Sequence, residues 1–195
     1  MIGMVKVCGL TDRDAVEAAV NAGVDAIGFV FAPSVRQVSP ELAAELSDGC
    51  PAAVRRVAVM QHPAPDDWNN VCEIFKPNVL QTDAEDFVGL NIPADIECWP
   101  VIREGNIVDD VDLPKIFLYE GRHSGQGETV NWQQAARYAK RGRMILAGGL
   151  SADNVAAAIR EVLPWGVDVS SAVESAPGKK NPEKIAAFVR AARSL

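Results

Sequence analysis

At 195 residues, 48% of them hydrophobic, the chain suits one well-cored domain and is short for two. Acidic residues outnumber Lys and Arg by 26 to 19, a formal charge of −7, and no basic cluster interrupts them, which argues against a nucleic-acid-binding face. No apolar run reaches the roughly 18 residues of a membrane helix, and the first residues lack a secretory pattern, so the expected setting is cytoplasmic, with no membrane partner.

Strand-like and helical segments alternate along the chain. Residues 4–8 read as a strand, Thr11 to Asp14 as a helix entry, and 15–22 as an Ala-rich helix closed by Gly23. A strand follows at 24–31, then a helix from Ser39 with Pro40 in its first position. Residues 54–60 give strand three, 66–75 a helix, and 78–81 a short fourth strand before an acidic turn at 82–86. Strands five and six fall at 96–102 and 115–119, joined by an irregular acidic connection, 103–114, in place of a full helix. The remainder alternates helix 131–140, strand 143–147, helix 151–162, strand 167–170 and a closing helix at 182–192. Such alternation implies parallel strands joined by right-handed crossovers. Eight strands predict a single α/β domain over 1–195, a parallel (β/α)8 TIM barrel near the short limit of its class, with the helix after strand five missing or irregular. An open doubly wound sheet is the competitor, but no G-x-G-x-x-G follows the first strand.

Parallel barrels build their sites at the C-terminal ends of the strands. Those positions hold Cys8, Arg36, Gln81, Asp83, Glu120, a glycine loop with Gly125 and Gly127, the pair Gly148 and Gly149, and Ser170 with Ser171. The last two pairs follow strands seven and eight, where backbone N–H groups of glycine and serine loops hold phosphate in this fold. Gly148 and Gly149 alone read equally well as a strand-to-helix turn; the serine pair in the next loop tips the reading to phosphate. Cys8 is by residue type as readily a buried packing group as a catalyst, but Lys6 lies on the same side of the strand and favours a thiolate. Arg36 suits a bidentate carboxylate clamp, and Glu120 at the end of an apolar strand suits a proton donor. Cys50, Cys72 and Cys98 read as packing residues, and His62 and His123 as surface residues. With no C-x-x-C pair and no His near a cysteine, neither a metal site nor a disulfide framework is expected.

Several segments together resemble the phosphoribosylanthranilate isomerase family of tryptophan biosynthesis. Lys6 to Thr11 is similar to that family's K-[IV]-C-G-[LI]-[TR], and Gly28 to Arg36 with Val38, Ser39 and Pro40 to its G-F-[VI]-F…S-x-R-x-[VI]-[ST]-P. Leu80 and Gln81 match part of V-Q-L-H-G. Ser124 to Gly127 with Asn131 and Trp132 resembles G-G-[TS]-G…[FV]-[DN]-W. Leu146 to Leu150, Asn154, Val155, Gly166 to Ser171, Glu174 and Pro177 to Lys179 complete a series in family order from residue 6 to 180. The resemblance implies an Amadori rearrangement of N-(5-phosphoribosyl)anthranilate, without metal or organic cofactor. It implies Cys8 as base, Arg36 on the anthranilate carboxylate, and Gly148, Gly149, Ser170 and Ser171 on the phosphate. Asp168 then lies near the sugar or supports the site, and Lys6, Gln81, Asp83, Gly125 and Gly127 belong to the substrate site.

Five positions depart from the family pattern. Glu120 stands where L-L-D has its acidic aspartate, Asp83 and Ala84 replace the H-G of V-Q-L-H-G, Ser124 replaces a glycine, and Ala172 replaces the glycine after Ser-Ser. Two other functions follow if these changes are decisive. One is isomerisation of the histidine-pathway aminoaldose, whose enzymes use aspartates ending strands one and five; Cys8 and the lack of an aspartate ending strand five speak against it. The other is a non-catalytic barrel that binds a phosphosugar. The expected partner is a small phosphoribosyl molecule, and monomer and dimer are both compatible with the sequence.

Overall fold

The computed structural model describes residues 2–105, 113–121 and 129–195. Eight parallel strands close into a barrel in chain order: β1 Met4–Cys8, β2 Ala26–Val30, β3 Arg55–Val59, β4 Val79–Asp83, β5 Glu97–Arg103, β6 Ile116–Glu120, β7 Arg143–Leu146 and β8 Gly166–Val169. The outer layer contains α1 Arg13–Ala22, α2 Pro40–Leu46, α3 Pro65–Phe75, α4 Trp132–Ala139, α5 Val155–Val162 and α6 Pro182–Arg193. After β4 the crossover is a 3-10 helix, Ala84–Gly89, and Asp83 belongs to the strand, so the acidic turn expected from residue 82 begins two residues later. Most of the connection after β5, where an irregular or missing helix is expected, lies outside the described residues. A feature not foreseen from sequence follows β8: a 3-10 turn, Ser171–Val173, and a small antiparallel hairpin of β9 Glu174–Ala176 and β10 Lys179–Lys180.

Local chemistry sets the helix ends. The Asp12 carboxylate accepts a hydrogen bond from the Ala15 N–H at 2.8 Å, and Gly23, in the left-handed region at φ 84°, closes α1. Ser39 caps α2 at the Leu42 N–H with Pro40 in the first turn, and Asn181 with Pro182 does the same for α6.

The two faces of each strand bury different layers. Outward-facing Val5, Val7, Ile27, Phe29, Leu80, Phe117, Tyr119, Leu146, Val167 and Val169 pack with the helices in one large cluster. Inside the barrel a smaller cluster of Met4, Ala26, Val57, Val79, Trp99, Val101, Leu118, Ile145 and Ala147 fills the lower part of the core. No helix among the described residues is long and apolar enough to cross a membrane.

Candidate active site

The inward period of two continues upward from that apolar floor, and the side chains change character on the way. On β1 the same face carries Met4, then Lys6, then Cys8; on β4 it carries Val79, Gln81 and Asp83; on β5, Trp99, Val101 and Arg103; on β6, Leu118 and Glu120. A single cleft at the strands' C-terminal ends is lined by Cys8, Arg36, Gln81, Asp83, Arg103, Glu120, Asp168 and Ser170, with Ala32 to Ser34 and Met60 on its rim.

Cys8 sits 7% exposed above the Lys6 ammonium, which is wholly buried and bonds Asp168 at 3.0 Å. The β1–β8 register, with Lys6 directly opposite Asp168, makes this pair. Burial works against the Lys6 charge, but Asp168 and Cys8 outweigh it and hold the ammonium above its ordinary value. Burial acts the other way on Cys8. It pushes the thiol up, Lys6 and Lys180 pull it down, and the net direction is upward. Lys6 is expected to favour a thiolate and does so, yet desolvation is the larger effect. Room for this arrangement comes from Gly28 across the β1–β2 ladder: a Cβ there would lie 3.1 Å from Cys8 Sγ and 3.2 Å from Lys6 Nζ. Sequence reading placed Gly28 in a motif without seeing this role.

Arg36 reaches the cleft from the loop after β2, and its Nε and Nη2 donate to the two Glu174 oxygens at 2.7 and 2.9 Å. Lys180, buried in the β9–β10 hairpin, donates to Glu174 Oε1 at 2.8 Å and to the Ser170 carbonyl at 3.0 Å. Burial disfavours the Glu174 carboxylate, but bonds from Arg36 and Lys180 overcome this and lower its pKa. Burial lowers the Lys180 pKa despite Glu174. Gly9, at φ 75°, lets the backbone pass beneath: a Cβ there would lie 2.6 Å from Arg36 Cδ and 3.3 Å from Ser170 Oγ. Ser170 Oγ in turn donates to the Cys8 carbonyl at 3.0 Å. The sequence marks Glu174 only as a motif residue and does not single out Lys180; a carboxylate seven residues before Asn181 carries no signal of its partners.

Of the expected phosphate residues, Ser170 lines the cleft, while Gly148, Gly149 and Ser171 are not among its lining residues. Gly148 and Gly149 both hold positive φ, 88° and 61°, and the Gly149 carbonyl accepts a bond from Asn154 Nδ2 at 2.8 Å. A side chain at Gly149 would strike the Thr129 backbone at 2.7 Å.

Across the mouth, Arg103 Nη1 donates to Glu120 Oε1 at 2.7 Å and Nη2 meets Asp83 Oδ1 at 2.7 Å. The sequence pattern ends strand five one residue too early and so assigns Arg103 to the irregular connection rather than to the site. Gln81 Oε1 is buried and unbonded among the described residues. Gly125 and Gly127, like Ser124 and His123, lie outside the described residues. His62 is exposed, as expected, and its Nδ1 bonds Asp86 Oδ1 at 2.8 Å. Its ring nitrogens and the Asp83 and Asp86 oxygens come within 4.8 Å of one another, but Asp83 is held by Arg103, and Asp86 also accepts from Thr82 Oγ1 at 2.5 Å. Cys50 and Cys72 pack partly against the core; Cys98, expected to pack, is exposed on β5.

The chain's residues 5–191 match the family model for N-(5'-phosphoribosyl)anthranilate (PRA) isomerase. It is 37% identical over 201 residues to an N-(5'-phosphoribosyl)anthranilate isomerase of Pelobacter propionicus, covering 97% of this chain and 95% of that one. The fold superposes on a phosphoribosyl anthranilate isomerase of Thermus thermophilus with a TM-score of 0.85 at 28% identity, over 98% and 99% of the two chains. It also matches, at TM-score 0.78 and 30% identity over the full length of both, a phosphoribosyl anthranilate isomerase solved in complex with reduced 1-(o-carboxyphenylamino)-1-deoxyribulose 5-phosphate. The chain belongs to the N-(5'-phosphoribosyl)anthranilate isomerase family.

Proposed function

We propose that this chain isomerises N-(5-phosphoribosyl)anthranilate to 1-(2-carboxyphenylamino)-1-deoxyribulose 5-phosphate, with Glu120 as general acid and Cys8 as general base. The carrying observation is one cleft that holds a thiol, a carboxyl group, a guanidinium and the Ser170 loop together. In this reading Glu120 gives a proton to the ribose ring oxygen, the ring C–O bond breaks, and the anilino nitrogen supplies the electron pair of the resulting iminium. Cys8, reacting as the thiolate that the Lys6 ammonium favours, then takes the C2 proton and becomes the thiol, and the C2–H electrons move to neutralise the nitrogen, leaving an enol that tautomerises to the ketose. The sequence is a ring opening and proton transfers between the substrate and two side chains, with no net oxidation or reduction, so the chemistry calls on no metal or organic cofactor.

Arg36 serves the anthranilate carboxylate. Glu174 takes its Nε and Nη2 side, and the Nη1 group makes no bond among the described residues, which leaves a donor directed by a fixed fork. Gly148, Gly149, Ser170 and Ser171 serve the phosphate at the end of the barrel where this fold binds it. Lys6 and Asp168 support Cys8 from below. A biosynthetic enzyme of this kind works in the cytoplasm, our expectation for this chain.

The test is loss of fluorescence from freshly made phosphoribosylanthranilate. The wild-type chain is expected to exceed the uncatalysed rate, Cys8→Ser and Glu120→Gln to lose orders of magnitude in kcat, and Arg36→Ala to raise KM. Wild-type binding without turnover would replace the reading with a sensor, and turnover of the histidine-pathway aminoaldose alone would replace the substrate.

A further inference from the structure

Two of the departures from the family pattern meet in space. Asp83 and Glu120 lie on β4 and β6, two strands apart, and Arg103 on the intervening β5 touches both. The register explains how. Arg103 is the direct ladder partner of Glu120, and Asp83 is the partner of Val101, which shares Arg103's face two residues earlier. The guanidinium therefore spans the pleat, one terminal nitrogen on each carboxylate, at 2.7 Å in both cases. All three side chains are largely withdrawn from water, at 19%, 7% and 15% exposure for Arg103, Asp83 and Glu120. A pair so placed is screened far less than a surface ion pair and holds its geometry more firmly.

Glutamate at position 120 reaches one methylene further than aspartate and carries one more torsion to fix. A histidine at position 83, as in V-Q-L-H-G, offers no anionic anchor to Arg103. We propose that Arg103 is a positioning residue for the rearrangement, that it sets the place of the Glu120 carboxyl group at the barrel mouth, and that Asp83 is the anchor which holds Arg103 there. Asp83, Arg103 and Glu120 thus form one coupled unit rather than two unrelated substitutions. The inference rests on the reading of Glu120 as the acid of this reaction. A lysine cannot reproduce the span, because its single ammonium lacks the two fixed donors of the guanidinium fork.

Steady-state kinetics on the full chain with freshly made phosphoribosylanthranilate test this, with thermal unfolding run on each variant. Arg103→Met is expected to lower kcat by on the order of 10- to 100-fold, the scale of a displaced catalytic group, with KM moved by less than roughly threefold. Arg103→Lys should recover part of the loss. Asp83→Asn should lower kcat by itself yet add nothing in the Arg103→Met background, since both act through one contact. Arg55→Gln is the control, because Arg55 pairs with Glu97 at 3.4 Å on the exposed opposite end of the barrel. Wild-type kcat in Arg103→Met overturns the proposal, as do losses that multiply in the double variant. A loss confined to KM also overturns it, since Arg103 would then be binding substrate. Should Arg103→Met fail to fold, Arg103→Lys and Asp83→Asn decide, and unchanged kcat in both overturns the proposal. An inactive wild-type chain overturns the proposed reaction itself and this inference with it; an active wild type with an indifferent Arg103 overturns only the inference.

Discussion

Gly28→Ala isolates the Cys8–Lys6 pair with a single methyl group. Gly28 is buried on β2, and its φ lies outside the left-handed region, so its backbone accepts alanine without strain. The new Cβ meets Cys8 Sγ at 3.1 Å and Lys6 Cε and Nζ at 3.2 Å, whereas ordinary contact runs from 3.4 to 4 Å. The thiol must therefore retreat by at least 0.3 Å, and by 0.9 Å where it relaxes to the far end of ordinary contact. If 1 Å of misplacement costs on the order of 100-fold, the loss in kcat falls between about 4-fold and about 60-fold. Overpacking a core site costs about 1–3 kcal/mol, and replacing a strand glycine by alanine returns about 0.5–1 kcal/mol. The melting temperature should then drop by no more than roughly 10 °C at about 2–4 °C per kcal/mol. The assay pairs phosphoribosylanthranilate turnover with thermal unfolding on the same preparation. A folded Gly28→Ala variant with wild-type kcat would refute the reasoning, because a methyl pressed against both groups would then leave the reacting centre untouched.

Two further outcomes follow from the buried and titrating groups. Lys6→Met should destabilise the chain by about 3–5 kcal/mol by leaving Asp168 buried without its partner, whereas Lys6→Met combined with Asp168→Leu should restore much of the loss; chemical denaturation measures both, and a double variant less stable than the single one would contradict the pairing. The His62 pKa should lie above 6.5, raised by its hydrogen bond to Asp86, and Asp86→Asn should bring it back. The stabilisation from that pair is fully present below 6.5 and fades as pH rises through the raised value, and it is small because the ring is exposed. An NMR titration of His62 at or below 6.5 in the wild type would contradict it.

The barrel itself was legible because its signals are local. Period-two burial, Asp12, Ser39 and Asn181 at helix starts, and Gly23 at a helix end all act within a few residues of chain, and the alternation of strand and helix then leaves few topologies. Strand ends bring Cys8, Arg36, Glu120 and Ser170 to one rim in any such barrel, so their nomination needed no coordinates. What the sequence could not carry is pairing between residues far apart along it. Lys6 with Asp168, Glu174 with Arg36 and Lys180, and Arg103 with Asp83 and Glu120 are fixed by register between neighbouring strands and by a hairpin that sequence reading did not foresee. The direction of the Cys8 shift belongs to the same class. Sequence places a cation two residues from the thiol, but only the closed barrel buries both, and burial is the larger effect. Local periodicity therefore decided which residues face the cleft, while tertiary closure decided which of them are paired there, because desolvation and contact distance exist only once the eighth strand meets the first.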